Sequence, residues 1–220
     1  MDGISRRSLF SLNTSASVAG TAPAAAAPTG GAADGAQSTK SELARQRIQR
    51  LHLPNVPLVT HEGKRVMFYD DLVKGKVVTF NFFYTKCDEI CPMVTHNLSQ
   101  VQKLFGADFG TRLFMYSLTL KPEEDDVTAI RNYRELFHGK PGWTFLTGKP
   151  EHLEQIRRGI GFQYPDPAVD QDKTQHIGNI RYGNEPLMLW AACPGSSNPP
   201  YLAEAISWVL RPNTNRIQPS

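Results

Sequence analysis

Cys87 and Cys91 are the residues whose type and spacing offer chemistry, set in the run KVVTFNFFYTKCDEICPMVTHNLSQVQKLF at residues 76–105. Four residues apart, their sulfurs can share one helical face or flank a loop turn, and in either case both reach one ion or each other. Two thiolates form a soft pair suited to Cu(I), whereas zinc normally asks for a fourth ligand. The spacing is also one residue longer than the Cys-x-x-Cys redox motif, so a dithiol–disulfide couple is a second use of the same pair. His176 is the candidate third ligand. It is expected to open a strand directly after a polar loop, from where a side chain can lie over the cysteine turn. On pattern alone a structural histidine is the alternative. One imidazole added to two thiolates gives a site that holds copper and still releases it to a partner. His96 falls about 140° around the helix from Cys91 at ~100° per residue and should face solvent. His61 is placed in a hairpin turn, and His52, His138 and His152 lie at element ends or on polar faces. Cys193, before Pro194, reads as a small buried residue. Three cysteines is an odd number and excludes a disulfide framework as the organising device.

The elements that must position the thiols follow from periodicity. Val77, Val78, Phe80, Phe82, Phe83 and Tyr84 make a nearly continuous apolar run, as in a central strand covered on both faces. Pro92 suits the first turn of a helix, and Val94, Leu98, Val101 and Phe105 then mark one helical face. The thiols therefore sit between the C-terminal end of a strand and the start of a helix, where ligands bind in open α/β sheets and where the helix dipole favours thiolate. Upstream, residues 54–69 read as a hairpin turning at residues 61–64, and residues 41–51 as a short helix with a thin apolar face or part of a linker. Downstream come a strand at 113–120, a helix opened by the acids at 122–126, a strand at 143–146 and a helix at 150–158. A polar loop at 165–173 leads to strands at 176–182 and 187–190 joined at Gly183-Asn184, and a helix at 199–210 closes the order. Parallel crossovers between antiparallel edges predict an α/β fold: a thioredoxin-like sandwich whose central mixed sheet is flanked by helices, with an N-terminal hairpin.

The net charge is +3, of which the first forty residues carry +1, and the scattered lysines and arginines exclude a nucleic-acid footprint. Arg6-Arg7 before a weakly hydrophobic, Ala-rich stretch resembles a twin-arginine export signal, assigned to residues 1–27. A plain Ala/Gly/Ser/Thr tail with an accidental arginine pair is the alternative. No stretch approaches ~18 consecutive apolar residues, so no permanent transmembrane anchor is expected. Residues 28–45 are expected to be a flexible linker, 46–212 the folded domain and 213–220 a tail, with a periplasmic or otherwise exported address.

These landmarks resemble the Sco/SenC family of thioredoxin-like copper chaperones. They are Leu58-Val59-Thr60-His61-Glu62-Gly63, Asn81-Phe82-Phe83-Tyr84-Thr85-Lys86-Cys87, Cys91-Pro92, Pro122-Glu123-Glu124-Asp125, Phe145-Leu146-Thr147-Gly148 and His176. The resemblance covers roughly residues 56–210. It implies that Cys87, Cys91 and His176 are copper ligands and that the protein delivers copper to a respiratory oxidase subunit or another cuproenzyme. Asp88 replaces the proline common after the first cysteine, and Lys121-Pro122 replaces an Asp-Pro pair, while Asp125 matches the later acid. Asp88 and Glu89 are expected to raise the thiol pKa and attract a cation. Two other functions share the residues. In a thiol–disulfide oxidoreductase Cys87 and Cys91 form the catalytic redox pair acting on a partner's cysteines, and His176 is dispensable. A peroxidase of the same fold ranks last, because it needs a strongly acidic thiol.

Overall fold

The computed structural model describes residues 32–210, and the side chains from residue 42 onward. The export signal expected at residues 1–27 and the tail at 213–220 lie outside the described residues. Among the described residues, no helix is long and apolar enough to cross a membrane. A compact unit begins at Ser41.

Helix α1 spans Ala32–His52, so most of the segment expected as linker is helical. Its alanines, glutamine, glutamate, leucine and arginines are strong helix formers, and these outweigh the weak apolar face. The hairpin follows as β1 (Pro57–Thr60) and β2 (Arg65–Met67), antiparallel with Leu58 opposite Val66. A π-helical turn, Phe68–Val73, leads into β3 (Val77–Phe83). Then come α2 (Ile90–Leu104), β4 (Leu113–Thr119), α3 (Val127–Leu136), β5 (Trp143–Thr147) and α4 (Pro150–Gly159). The described residues end with α5 (Pro167–Gln171), β6 (Asn179–Asn184), β7 (Leu189–Pro194) and α6 (Pro199–Leu210). The sheet order is β2-β1-β5-β4-β3-β6-β7. Strands β3, β4 and β5 run parallel, while β1 and β6 join them antiparallel on either side. This is the expected thioredoxin-like sandwich.

Strand β3 lies inside the sheet, between β4 and β6, because its side chains are largely apolar on both faces. Phe83 stacks on Tyr133 of α3 on one face, and Phe82 meets Phe162, beyond α4, edge-on across the other. On the first face α2 buries Val94, Leu98 and Val101, and α6 buries Leu202, Ile206 and Val209. The polar residues of the sheet centre form a closed chain. Trp143 Nε1 donates to Ser117 Oγ at 2.9 Å, and Ser117 Oγ donates to Asn81 Oδ1 at 2.7 Å.

Three local expectations change. The acids at 122–126 precede the helix instead of filling its first turn. Asp126 is the N-cap, accepting from the Ala129 N–H at 2.7 Å, and Asp125 is drawn inward. Asp126→Ala should cost about 1 kcal/mol in a urea melt, the usual value of such a cap. An unchanged midpoint would show that the cap is dispensable. The loop at 165–173 contains α5, and His176 ends a 3₁₀ turn, Lys173–His176, instead of opening a strand. Asp172 caps that turn through the Thr174 N–H, and Gly178, at φ +93°, holds a left-handed backbone conformation just before β6 begins. The last hairpin turns through residues 185–188 rather than at Gly183-Asn184. Glu185 is buried there, accepting from Gly75 N at 2.7 Å, Tyr69 Oη at 3.1 Å and Arg45 Nη2 at 3.1 Å.

Candidate metal centre

Strand β3 stops at Phe83 and the chain turns so that the Cys87 N–H donates to the Tyr84 carbonyl at 3.2 Å. Helix α2 begins at Ile90, so Cys91 lies in its first turn and Cys87 just ahead of it. Glu89, at the N-cap, gives no side-chain cap. The cap is supplied instead by sulfur, as the Cys91 N–H donates to Cys87 Sγ at 3.4 Å. The helix thus offers an otherwise unsatisfied N–H and its positive end to the Cys87 sulfur.

This makes the two thiols unequal. Burial pushes Cys87 up, but hydrogen bonds from the Cys91 thiol, the backbone N–H groups of Cys91 and Glu89, and the Tyr84 hydroxyl pull it further down, to a net value below an ordinary cysteine. Burial and donation to Cys87 push the Cys91 thiol well up. The expected rise at Cys87 from Asp88 and Glu89 is therefore corrected. Both acids are exposed, where solvent screens them, and direct hydrogen bonds to sulfur outweigh them. With limiting iodoacetamide below pH 9, Cys87 should be alkylated before Cys91. Mass mapping that finds Cys91 labelled first would contradict the assignment.

Beneath the turn lies Asp125, 1% exposed. Its carboxylate accepts from the Thr85 N–H at 3.2 Å and from the Thr85 and Thr119 hydroxyls, tying the residues before Cys87 to the end of β4. The Lys121 ammonium lies 4.3 Å from the centroid of the Tyr84 ring, beside the same turn. In the sequence Asp125 is a family landmark with no local sign of burial. Its burial depends on Thr85, forty positions away in the chain.

His176 is 2% exposed. The backbone two residues further on, at Gly178, runs against α2, where an added Cβ would stand 3.3 Å from the Ile90 side chain. The His176 segment therefore passes the start of the cysteine helix. The ring itself is bonded elsewhere: Nε2 lies 2.8 Å from the Asp170 carbonyl oxygen, and Arg157 Nη1 lies 2.9 Å from Nε2 and 3.1 Å from Nδ1. Among the described residues, no group of three or more His, Cys, Asp or Glu side chains is arranged to hold a metal ion. The structure thus brings Cys87 and Cys91 together and leaves His176 outside the pair.

Arg157 and Asp170, which hold His176, were not singled out in the sequence. Arg157 and Arg158 lie in the last turn of α4, where exposure is the rule, yet Arg157 is 2% exposed. It donates to both Asp170 oxygens at 2.8 and 2.9 Å, to Glu154 at 2.6 and 2.8 Å and to the Phe162 carbonyl. Its guanidinium and the Tyr164 N–H hold the Asp170 carboxyl well below the usual range. The other histidines are placed as bystanders. His96 is exposed. His52 and His152 bond backbone carbonyls at 3.1 Å, and buried His61 accepts from the Phe145 N–H at 3.3 Å. Cys193 is buried opposite Ile180 on β6, and burial pushes its thiol up to about 11.

Comparison with known proteins supplies the family. The chain is 32% identical over 143 residues to the mitochondrial SCO2 homolog of Bos taurus, an alignment covering 63% of this chain and 50% of that protein. This chain thus spans about half the length of that relative. Among solved structures it resembles Bradyrhizobium japonicum ScoI with copper bound, with a TM-score of 0.54 at 22% identity, covering 70% of this chain and 96% of that one. It also resembles BsSco, described with a disulfide switch and as a member of the Sco family of cytochrome c oxidase assembly proteins. There the TM-score is 0.58 at 20% identity, covering 72% of this chain and 93% of that one. At such identities the likeness speaks for the fold. The SCO1/SenC family model matches residues 50–210, a span that takes in the hairpin, the cysteine turn and His176, and the chain belongs to that family.

Proposed function

We propose that the protein is an exported copper chaperone that holds the ion with the Cys87 and Cys91 thiolates and the His176 imidazole. It passes the ion to a cuproenzyme during assembly of the copper site of a respiratory oxidase. The observation that carries this reading is the cysteine pair at the β3–α2 junction, both sulfurs at one helix N-terminus and in hydrogen-bond contact. Copper is the cargo. The donors fit it: two soft sulfurs, one already inclined to thiolate, and a site short of the fourth ligand that would favour zinc. The copper-bound and oxidase-assembly relatives support the same cargo and destination. A three-ligand site has an open flank from which a recipient's ligands can take the ion by exchange. The arginine pair Arg6-Arg7 supports export, since a thiol site that trades copper with a respiratory enzyme must meet it outside the cytoplasm.

Reduced protein titrated anaerobically with Cu(I) against a chromophoric chelator should take up one equivalent, and protein oxidised to the Cys87–Cys91 disulfide should take up none. Equal uptake by both forms would refute thiolate ligation.

The unequal thiols favour a second reading, a thiol–disulfide oxidoreductase. The Cys87 thiolate would attack a partner's disulfide to form a mixed disulfide and expel one partner thiolate. Cys91, once deprotonated, would then displace the second, leaving the partner dithiol reduced by two electrons and this pair oxidised. Under that reading His176→Ala retains full reductase activity, whereas under the chaperone reading it weakens copper binding.

A further inference from the structure

We propose that the cavity between helix α1 and the β6–β7 hairpin binds a fatty acid, an acyl chain ending in a carboxylate. The cavity measures about 640 Å³, within the roughly 300–1,000 Å³ of small-molecule sites. Its walls are apolar: Ile48 from α1, Ile160 at the end of α4, and Met188 and Trp190 from the hairpin. Ile48 is 49% exposed and the other three are half-buried, so protein atoms leave this apolar surface uncovered. Met188 holds φ +50°, a left-handed conformation that residues with side chains seldom adopt, and its unbranched thioether can fit itself to an occupant.

The carboxylate is called for by Arg181. Its Nη2 donates to the Gly161 carbonyl at 2.9 Å, and its guanidinium lies 5.8 Å from the centroid of the Phe162 ring. Among the described residues no carboxylate pairs with it. A half-buried cation without a counter-ion is costly, and an anionic ligand supplies one. No aspartate or glutamate lines the cavity, and its other polar side chains are Arg45 and His52. Arg45 is already neutralised by Glu185, and His52 gives its Nδ1 proton to the Gly159 carbonyl at 3.1 Å, which leaves Arg181 as the anchor for the head group. Those two bonds also fasten α1 on either side of Ile48, so the helix bridges the cavity instead of collapsing into it. The cavity shares no residue with the cysteine turn. Asn184, at the hairpin, lies opposite Val77 at the start of β3, and Cys87 follows the other end of that strand. The site therefore stands apart from the thiols.

The test titrates the full chain calorimetrically with dodecanoate, held below its micelle concentration. Wild type should bind one equivalent saturably, and dodecyltrimethylammonium, with the same chain and the opposite charge, should bind at least about tenfold more weakly. Arg181→Met should weaken dodecanoate binding about tenfold or more, the scale of one charge-assisted hydrogen bond, and Arg181→Lys should recover part of the loss. Ala44→Trp fills the cavity from an exposed position on α1 and should abolish binding. Arg47→Met, exposed on the same helix and outside the lining, should bind like wild type. The change in tryptophan emission on binding should vanish in Trp190→Phe, which a ligand held elsewhere would not cause. Absence of saturable binding, equal binding of the cationic amphiphile, or dodecanoate affinity unmoved by Ala44→Trp or by Arg181→Met would overturn the proposal. Association with phosphatidylglycerol vesicles in the absence of dodecanoate binding would assign this face to a membrane surface and would overturn it too. If Arg181→Met does not fold, Arg181→Gln, which removes the charge and keeps a hydrogen-bond donor for Gly161, carries the same comparison.

Discussion

Serine at position 87 or at position 91 should lower Cu(I) affinity on the order of a thousandfold, more than the roughly 10–100-fold that a partner of a ligand costs when removed. A hydroxyl is a hard donor that stays protonated where a thiol can ionise, so neither serine replaces a thiolate toward a soft ion. The fold should tolerate both changes, because each exchanges one small side chain for another at a helix start. The two losses have different local causes. At position 87 the sulfur that accepts from the Cys91 N–H also disappears, although serine is itself a good helix cap, so α2 should start as before. At position 91 the serine sits in the first turn and its hydroxyl can donate to Cys87 in the place of the thiol, so the Cys87 thiol should stay below an ordinary value. Chelator competition measures the affinities, and iodoacetamide kinetics on Cys91→Ser measure the second effect. Either serine variant binding Cu(I) within tenfold of wild type would show that its sulfur is not a ligand.

Asp125→Ala should destabilise the protein by about 2–4 kcal/mol, because it strands the half-buried N–H and hydroxyl of Thr85 and the buried hydroxyl of Thr119 together. The donors are the Thr85 N–H, the Thr85 hydroxyl and the Thr119 hydroxyl, and the carboxylate that satisfies them is 1% exposed. The same change loosens the residues that lead into Cys87, so Cu(I) affinity should also fall, by about tenfold, as for a supporting partner of a metal ligand. Asp125→Asn keeps one acceptor oxygen and should recover part of both losses. Urea denaturation gives the stability change. A shift within about 0.5 kcal/mol would mean that water or another side chain replaces the carboxylate, and that the turn does not depend on it.

The parts of this site legible in the sequence were those fixed by short-range pattern. The strand–turn–helix around Cys87 and Cys91 follows from an apolar run, a proline and a helical stripe, and it stands with β3 at Val77–Phe83 and α2 from Ile90. What the sequence left hidden depends on partners distant in the chain. Asp125 looked like one more acid at a helix start until Thr85 and Thr119 drew it into the core. The turn of the last hairpin moved to residues 185–188 because Glu185 is captured by Arg45, Tyr69 and Gly75, more than a hundred positions upstream. His176 was expected on a strand over the cysteine turn. It ends a 3₁₀ turn instead, and its ring is held by Arg157 on α4 and by the carbonyl of Asp170. No local pattern distinguishes a buried arginine near a helix end from an exposed one beside it, yet here Arg157 is buried and Arg158 is exposed. The acidic pair Asp88-Glu89 misled in the opposite way. Sequence proximity to the thiols suggested a strong field, and exposure to water removes most of it.

The central claim is that Cys87, Cys91 and His176 hold copper together. X-ray absorption at the copper edge of the Cu(I)-loaded protein tests it most directly. The expected result is a first shell of two sulfurs and one nitrogen, with the multiple scattering of an imidazole that disappears in His176→Ala. A shell of sulfur alone, or one that His176→Ala leaves unchanged, would contradict it.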